Sequence, residues 1–262
     1  MEDIVARVPL LSFIDMRRVL VFGRAGRTGA EGAFATCHCL ALPPSEPGYY
    51  FWRDRSSGQL TRRSEWFVTK SPSVSVGGRP IDYMMSFALP RYCDQTLARS
   101  RKEEHYGGDA HWIAKLDTVV HELYHIDPAA PGIRQMERAD GTYSANCHGG
   151  RFFEQVVDMV HGYLATKPDP QVYDFLKYDH ADLCEKFGGV VGTTFSSFPS
   201  FPQRYTEILD PQPEATSDMP SRIEALKVPR AIMSYTEEDL VIRQFFPVAT
   251  KQQIRNRQAR AA

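Results

Sequence analysis

The run WIAKLDTVVHELYHIDP, residues 112–128, decides how this chain is read. Ile113, Leu116, Val119, Val120 and Leu123 recur at steps of three and four, the period of an α-helix with one buried face. No glycine or proline interrupts Trp112 to Ile126, and Pro128 closes the run. Inside it stands His121-Glu122-Leu123-Tyr124-His125, an H-E-x-x-H pattern. Residues four apart share one side of a helix, so both imidazoles reach one cation from a single rigid element. Glu122 falls beside them, where it takes a proton from a metal-bound water. That is the chemistry of zinc-dependent hydrolysis.

Two histidines leave a catalytic site one ligand short, because catalytic zinc usually holds three protein donors. The chain offers two candidates further on. His148 opens His148-Gly149-Gly150-Arg151-Phe152-Phe153, ahead of an apolar stripe of Phe152, Phe153, Val156, Val157 and Val160. Its glycines let the backbone approach closely. Glu154, with Asp158 four residues on, is the other, in the spacing of the gluzincins. A site already built from imidazole favours His148. Glu154 and Asp158 otherwise form a solvated helix face.

The motif at 121–126 together with His148-Gly-x-x-Phe152 resembles the SprT-like and phage-type metallopeptidases. The specific resemblance covers roughly residues 110 to 165, with a looser likeness through the strand at Asp82 to Tyr92. It implies an α+β, zincin-like fold: an N-terminal β-sheet, an active-site helix pair and further helices. It implies Zn²⁺ on His121, His125 and His148. The cysteine-rich zinc ribbon that often follows the catalytic part in SprT proteases has no counterpart in this sequence.

Composition sets the outer bounds. The 262 residues carry a formal net charge of −1, which does not announce nucleic acid. No apolar run reaches membrane-spanning length, and the N-terminus lacks a signal-peptide pattern, so the expectation is a cytoplasmic protein without a membrane partner. Five cysteines, an odd number, argue against a disulfide framework. Cys37-His38-Cys39 has no partner pair with zinc-ribbon spacing, and small buried strand residues are expected there. Cys147, beside His148, is expected to be a packed free thiol.

The first hundred residues read as β. Strand patterns fall at Arg18–Phe22, Ala33–Leu42, Tyr49–Trp52 and Ile81–Leu89, punctuated by Pro and Gly. Arg24 to Gly32 reads as a turn, and Arg53 to Arg63 as a solvated loop or hairpin. Asp127 to Cys147 is a long connection, expected to wall the cleft. A single helix is expected after Pro170, carrying Val172, Phe175, Leu176, Leu183 and Phe187 and ending at Gly188-Gly189. The chain divides into a metallopeptidase domain, 1–190, and a partly irregular extension, 191–262. From Lys251 the tail holds basic residues and no acids, a weak pointer to nucleic acid at most.

The leading reading is a zinc-dependent peptidase acting on a peptide or protein, with Glu122 as general base. Tyr143, Arg151, His161 and Tyr163 are candidates to steady the oxyanion. Asp117, one turn before His121, either accepts that ligand's second N–H or lies exposed, the exposed outcome being expected. Two rival readings stand beside the first. One is a zinc-stabilised binding protein without turnover, in some versions associated with nucleic acid. The other is a hydrolase of non-peptide amides.

Overall fold

The computed structural model describes residues 1–26, 32–53, 56–57, 60–98, 100–129, 132–138, 140–144, 148–196, 201–211 and 232–246. Its helices are α1 (Glu2–Arg7), α2 (Lys102–Tyr106), α3 (Ile113–Tyr124), α4 (Gly150–Ala165) and α5 (His180–Phe187). The strands run β1 (Val19–Gly26), β2 (Ala35–Cys39), β3 (Gly48–Arg53), β4 (Leu60–Lys70), β5 (Ser73–Val76), β6 (Arg79–Pro80) and β7 (Tyr83–Pro90) in the first part. They continue as β8 (Met136–Glu137), β9 (Tyr143–Ser144), β10 (Val190–Phe195), β11 (Tyr205–Ile208), β12 (Ser234–Tyr235) and β13 (Leu240–Phe245). The architecture is a mixed α+β fold in which an N-terminal β region precedes the helices that carry the histidines.

The sheet that positions the site is β1-β7-β2. β7 lies in its middle, parallel to β1 (Val19↔Tyr83 to Gly26↔Pro90) and antiparallel to β2 (Ala35↔Phe87 to Cys39↔Tyr83). Its sequence YMMSFALP is apolar on both faces and almost wholly buried, as a strand covered on both sides must be. β2 is left at the edge. One face of this sheet meets α1, α3 and α4 in the main core, built on Leu11, Met85, Leu116, Val120, Leu123, Val156 and Val160. A second core gathers Phe22, Val74, Ile81, Met84, Phe195 and Tyr235.

The segments after residue 190 are laid on this framework. β11 pairs with β4, β12 with β5, and β13 with β10. Gly23 of β1 makes room for this packing: a Cβ there would sit 2.9 Å from the Phe245 ring of β13.

Two expectations change, and a third takes one of its two forms. β1 continues through Gly26, so Arg24 to Gly26 are strand where a turn was expected; residues 27–31 lie outside those described. The loop or hairpin expected at Arg53 to Arg63 takes the hairpin form: β3, ending at Arg53, pairs antiparallel with β4, which starts at Leu60 (Arg53↔Leu60); residues 54–55 and 58–59 lie outside those described. The single helix expected after Pro170 is three pieces: 3-10 turns at Pro170–Val172 and Asp174–Lys177, then α5. Asp169 accepts from the Gln171 N–H and Asp179 forms a capping box with Asp182, so each aspartate starts a new turn. Gly188, at φ 78°, ends α5 in the left-handed conformation that glycine adopts freely. Cys147 and the tail from Lys251 lie outside the described residues.

Candidate metal centre

α3 forms where the periodicity places it, but it is not amphipathic in its burial. Every residue from Ile113 to Val120 is buried, Lys115, Asp117 and Thr118 included. A helix buried on all sides must pair its charges internally. Lys115 Nζ donates to the Tyr178 carbonyl (2.6 Å). Asp117 meets Lys102 Nζ of α2 at 2.7 Å and accepts from the Tyr106 hydroxyl at 3.0 Å. Lys102 also donates to the Ala114 carbonyl and to Thr118 Oγ1. Asp117 is therefore neither exposed nor a partner of His121, as the sequence suggested; its carboxylate anchors α2 to the helix.

The end of α3 is fixed from outside. His125 follows the last helical residue but keeps helical dihedrals (φ −66°, ψ −19°), so the four-residue spacing still stacks the two rings. Arg134 reaches back from the connecting segment: Nε donates to the Tyr124 carbonyl (2.7 Å) and Nη2 to that of Ile126 (3.2 Å). The Tyr124 carbonyl is among those a helix terminus leaves without intrahelical partners. The Arg134 guanidinium also covers the Tyr124 ring at 4.2 Å. The Tyr124 hydroxyl in turn bonds Gln155 of α4.

His148 stands two residues before α4 and is brought to the pair on α3. One ligand atom from each of His121, His125 and His148 can be chosen so that all three lie within 4.8 Å of one another. His148 Nε2 is 3.1 Å from His125 Nε2. A tetrahedral ion 2.0–2.1 Å from each nitrogen requires nitrogens about 3.3 Å apart, close to the His125–His148 separation. Phe152 supports all three rings, with centroid distances of 4.8, 5.3 and 4.9 Å to His121, His125 and His148. The phenylalanine of the H-G-x-x-F element is thus the floor of the cluster.

Electrostatics suit a cation. Burial, followed by the charges of His125 and His148, lowers His121 to about 2. Burial, followed by His148 and Arg134, lowers His125 to about 4. His148 is lowered too, by burial and then by Arg101. All three imidazoles are neutral near pH 7, the form that binds metal. The donor set, three nitrogens from two helical elements, fits Zn²⁺.

Glu122 is buried beside the cluster, and burial pushes its carboxyl up to about 7. A hydrogen bond from the Cys37 backbone N–H opposes that shift, followed by the charges of Lys102 and Arg24. The Cys37 bond follows from strand geometry. Leu40 N–H bonds the Asp82 carbonyl and Ala88 N–H bonds that of Phe34. In an antiparallel ladder the alternate residues Ala35, Cys37 and Cys39 then turn their backbone groups away from β7. They face α3.

These groups line one cleft of about 410 Å³, bordered by β2 (Ala35–Cys37), Lys102, Thr118, Ile133, Phe153 and the three histidines with Glu122. The connection after His125 supplies Ile133, which is also bridged to Ile126. Glu154 and Asp158 lie exposed on α4 and do not join the cluster. Of the oxyanion candidates, Tyr143 is 65 % exposed and Arg151 and His161 are exposed. Tyr163 is buried and donates to Asp3, outside the cleft lining. Lys102 and Arg134 were not visible as site residues in the sequence. Each is an ordinary cation until the chain folds, and no local pattern marks it.

No protein-family model matches the chain, nor does any curated protein or solved structure. The site's chemistry therefore carries the functional argument.

Proposed function

We propose that the chain is a zinc-dependent peptidase of the SprT-like kind, holding Zn²⁺ on His121, His125 and His148 and using Glu122 as general base. The observation that carries this reading is the convergence of three neutral imidazoles with a buried carboxylate next to them on the same helix. Bound zinc supplies Lewis-acid polarisation of the scissile carbonyl and a water pKa lowered to about 7. Glu122, raised toward neutrality, is matched to accept a proton from water and return it to the leaving nitrogen. The Cys37 N–H holds that carboxylate in place. The cleft lies along β2, an edge strand, where an extended peptide can dock by strand addition. That geometry favours peptides over small amides as substrate. A cytoplasmic setting is part of the same proposal; among the described residues no helix is long and apolar enough to cross a membrane.

The test is incubation of the zinc-loaded chain with a mixed peptide library, read by mass spectrometry. Cleavage that disappears in Glu122→Gln supports the proposal. Zinc bound with no cleavage of any peptide favours the rival, a zinc-stabilised binding protein.

A further inference from the structure

α3 borders two cavities. Thr118, His121, Glu122 and His125 face the metal cleft, whereas Leu116 and Val119 face a separate space of about 310 Å³. We propose that this second cavity is a binding site for an uncharged hydrocarbon chain.

The walls carry the argument. Ile4, Val21, Leu89, Leu116, Val119 and Leu176 come from five parts of the chain and leave a concave, apolar space among them. The two buried tyrosines of the wall have spent their hydroxyls elsewhere. Tyr92 donates to the Lys115 carbonyl (3.1 Å) and Tyr163 to Asp3 (2.7 Å). A water held here needs two to four polar partners, and these walls offer poor ones. A docked peptide strand fares worse, since its backbone N–H and C=O groups would be buried there without partners. A hydrocarbon chain has no such requirement.

Size and entrance agree. An apolar cavity of ~150 Å³ takes up benzene, so this one has room for a body about twice as large. Its volume falls at the lower end of small-molecule pockets, roughly 300–1,000 Å³. The rim exposes apolar surface to solvent: Val21 and Val172 are each 41 % exposed and Phe175 51 %. Side chains at a mouth of this kind give an entering chain contact before it is buried.

The experiment uses the full chain loaded with zinc. The neutral fluorophore N-phenyl-1-naphthylamine is titrated in, then displaced with 1-decanol. The proposal expects saturable one-to-one binding, displacement by 1-decanol, and a 1-decanol-dependent rise in melting temperature. Val172→Trp, at an exposed rim position, is expected to weaken 1-decanol binding by about tenfold or more, a change of about 1.4 kcal/mol, with zinc content unaltered. Val21→Trp, at an exposed lining position on β1, is the second blocking variant. Absence of saturable binding overturns the proposal. So does affinity unchanged in both variants, or a probe displaced by peptides that occupy the metal cleft. None of these readouts depends on hydrolysis, so the outcome is separate from that of the peptidase assay.

Discussion

Glu122 and His148 make the sharpest claims at the scale of single residues. Glu122→Gln keeps the shape and the Cys37 contact but cannot accept a proton. Peptide hydrolysis should fall by roughly 10²–10⁴ while zinc content, read by metal analysis, stays at one ion per chain. Wild-type turnover in that variant would falsify the general-base role. His148→Ala removes one of three donors and should weaken zinc binding by more than about 100-fold, beyond the loss typical of an outer-shell partner. Glu154→Ala, on the exposed face of α4, should leave affinity unchanged in the same chelator competition. These residues were legible because their spacing states their geometry. His121, Glu122 and His125 are neighbours on one helix, and His148 stands next to a phenylalanine that packs under all three rings. Lys102 was not legible. Its ion pair with Asp117 joins two elements, and nothing local in the sequence distinguishes it from a solvated lysine.

Among the elements, α3 departs furthest from its sequence pattern. Periodicity predicts one buried face; the helix is buried all round because β2, α2, α4 and the 3-10 turn at Asp174–Lys177 close over it. Periodicity reports which residues are apolar, not which polar ones find partners. The pair Lys102–Asp117 tests this. Lys102→Met leaves the Asp117 carboxylate buried beside the Tyr106 hydroxyl without its cation, and should cost about 3–5 kcal/mol in urea unfolding. A loss under about 1 kcal/mol would mean that the pair is solvated like a surface bridge. β1 offers a second test. Gly23→Ala places a methyl 2.9 Å from the Phe245 ring, and should destabilise the chain by roughly 1–3 kcal/mol through overpacking. An unchanged unfolding midpoint would show that β13 does not pack on β1. The helix expected after Pro170 failed for a related reason: the apolar spacing was read, while Asp169 and Asp179 were not weighed as caps.

For the whole molecule, the β-rich first part and the following helix pair were readable from alternation and from the long uninterrupted run. The way β11 and β12 join strands of the first part was not, because pairing over more than a hundred residues leaves no local signature. The three-histidine cluster couples to global stability through its protons. In the metal-free chain the folded pKa values of His121 and His125, about 2 and about 4, lie below the unfolded value of 6.5. The unfolded state therefore binds more protons as pH falls below about 6.5, and the stability that these histidines contribute above that pH is lost on the way down, to about 4 for His125 and about 2 for His121. Glu122, raised from 4.5 to about 7, acts in the opposite sense between those values, so the net loss steepens near pH 4.5. Urea unfolding of the metal-free chain should become easier from pH 6.5 to 4.5, and a flat profile would contradict the buried, neutral state of the histidines.

The central claim is that three imidazoles from two neighbouring helical elements share one zinc ion. X-ray absorption at the zinc edge of the loaded, full-length chain tests it most directly. The account predicts three imidazole nitrogens and one further light atom at about 2.0–2.1 Å, with one imidazole lost in His148→Ala. A sulfur shell at about 2.3 Å, or the same imidazole count in wild type and His148→Ala, would contradict it.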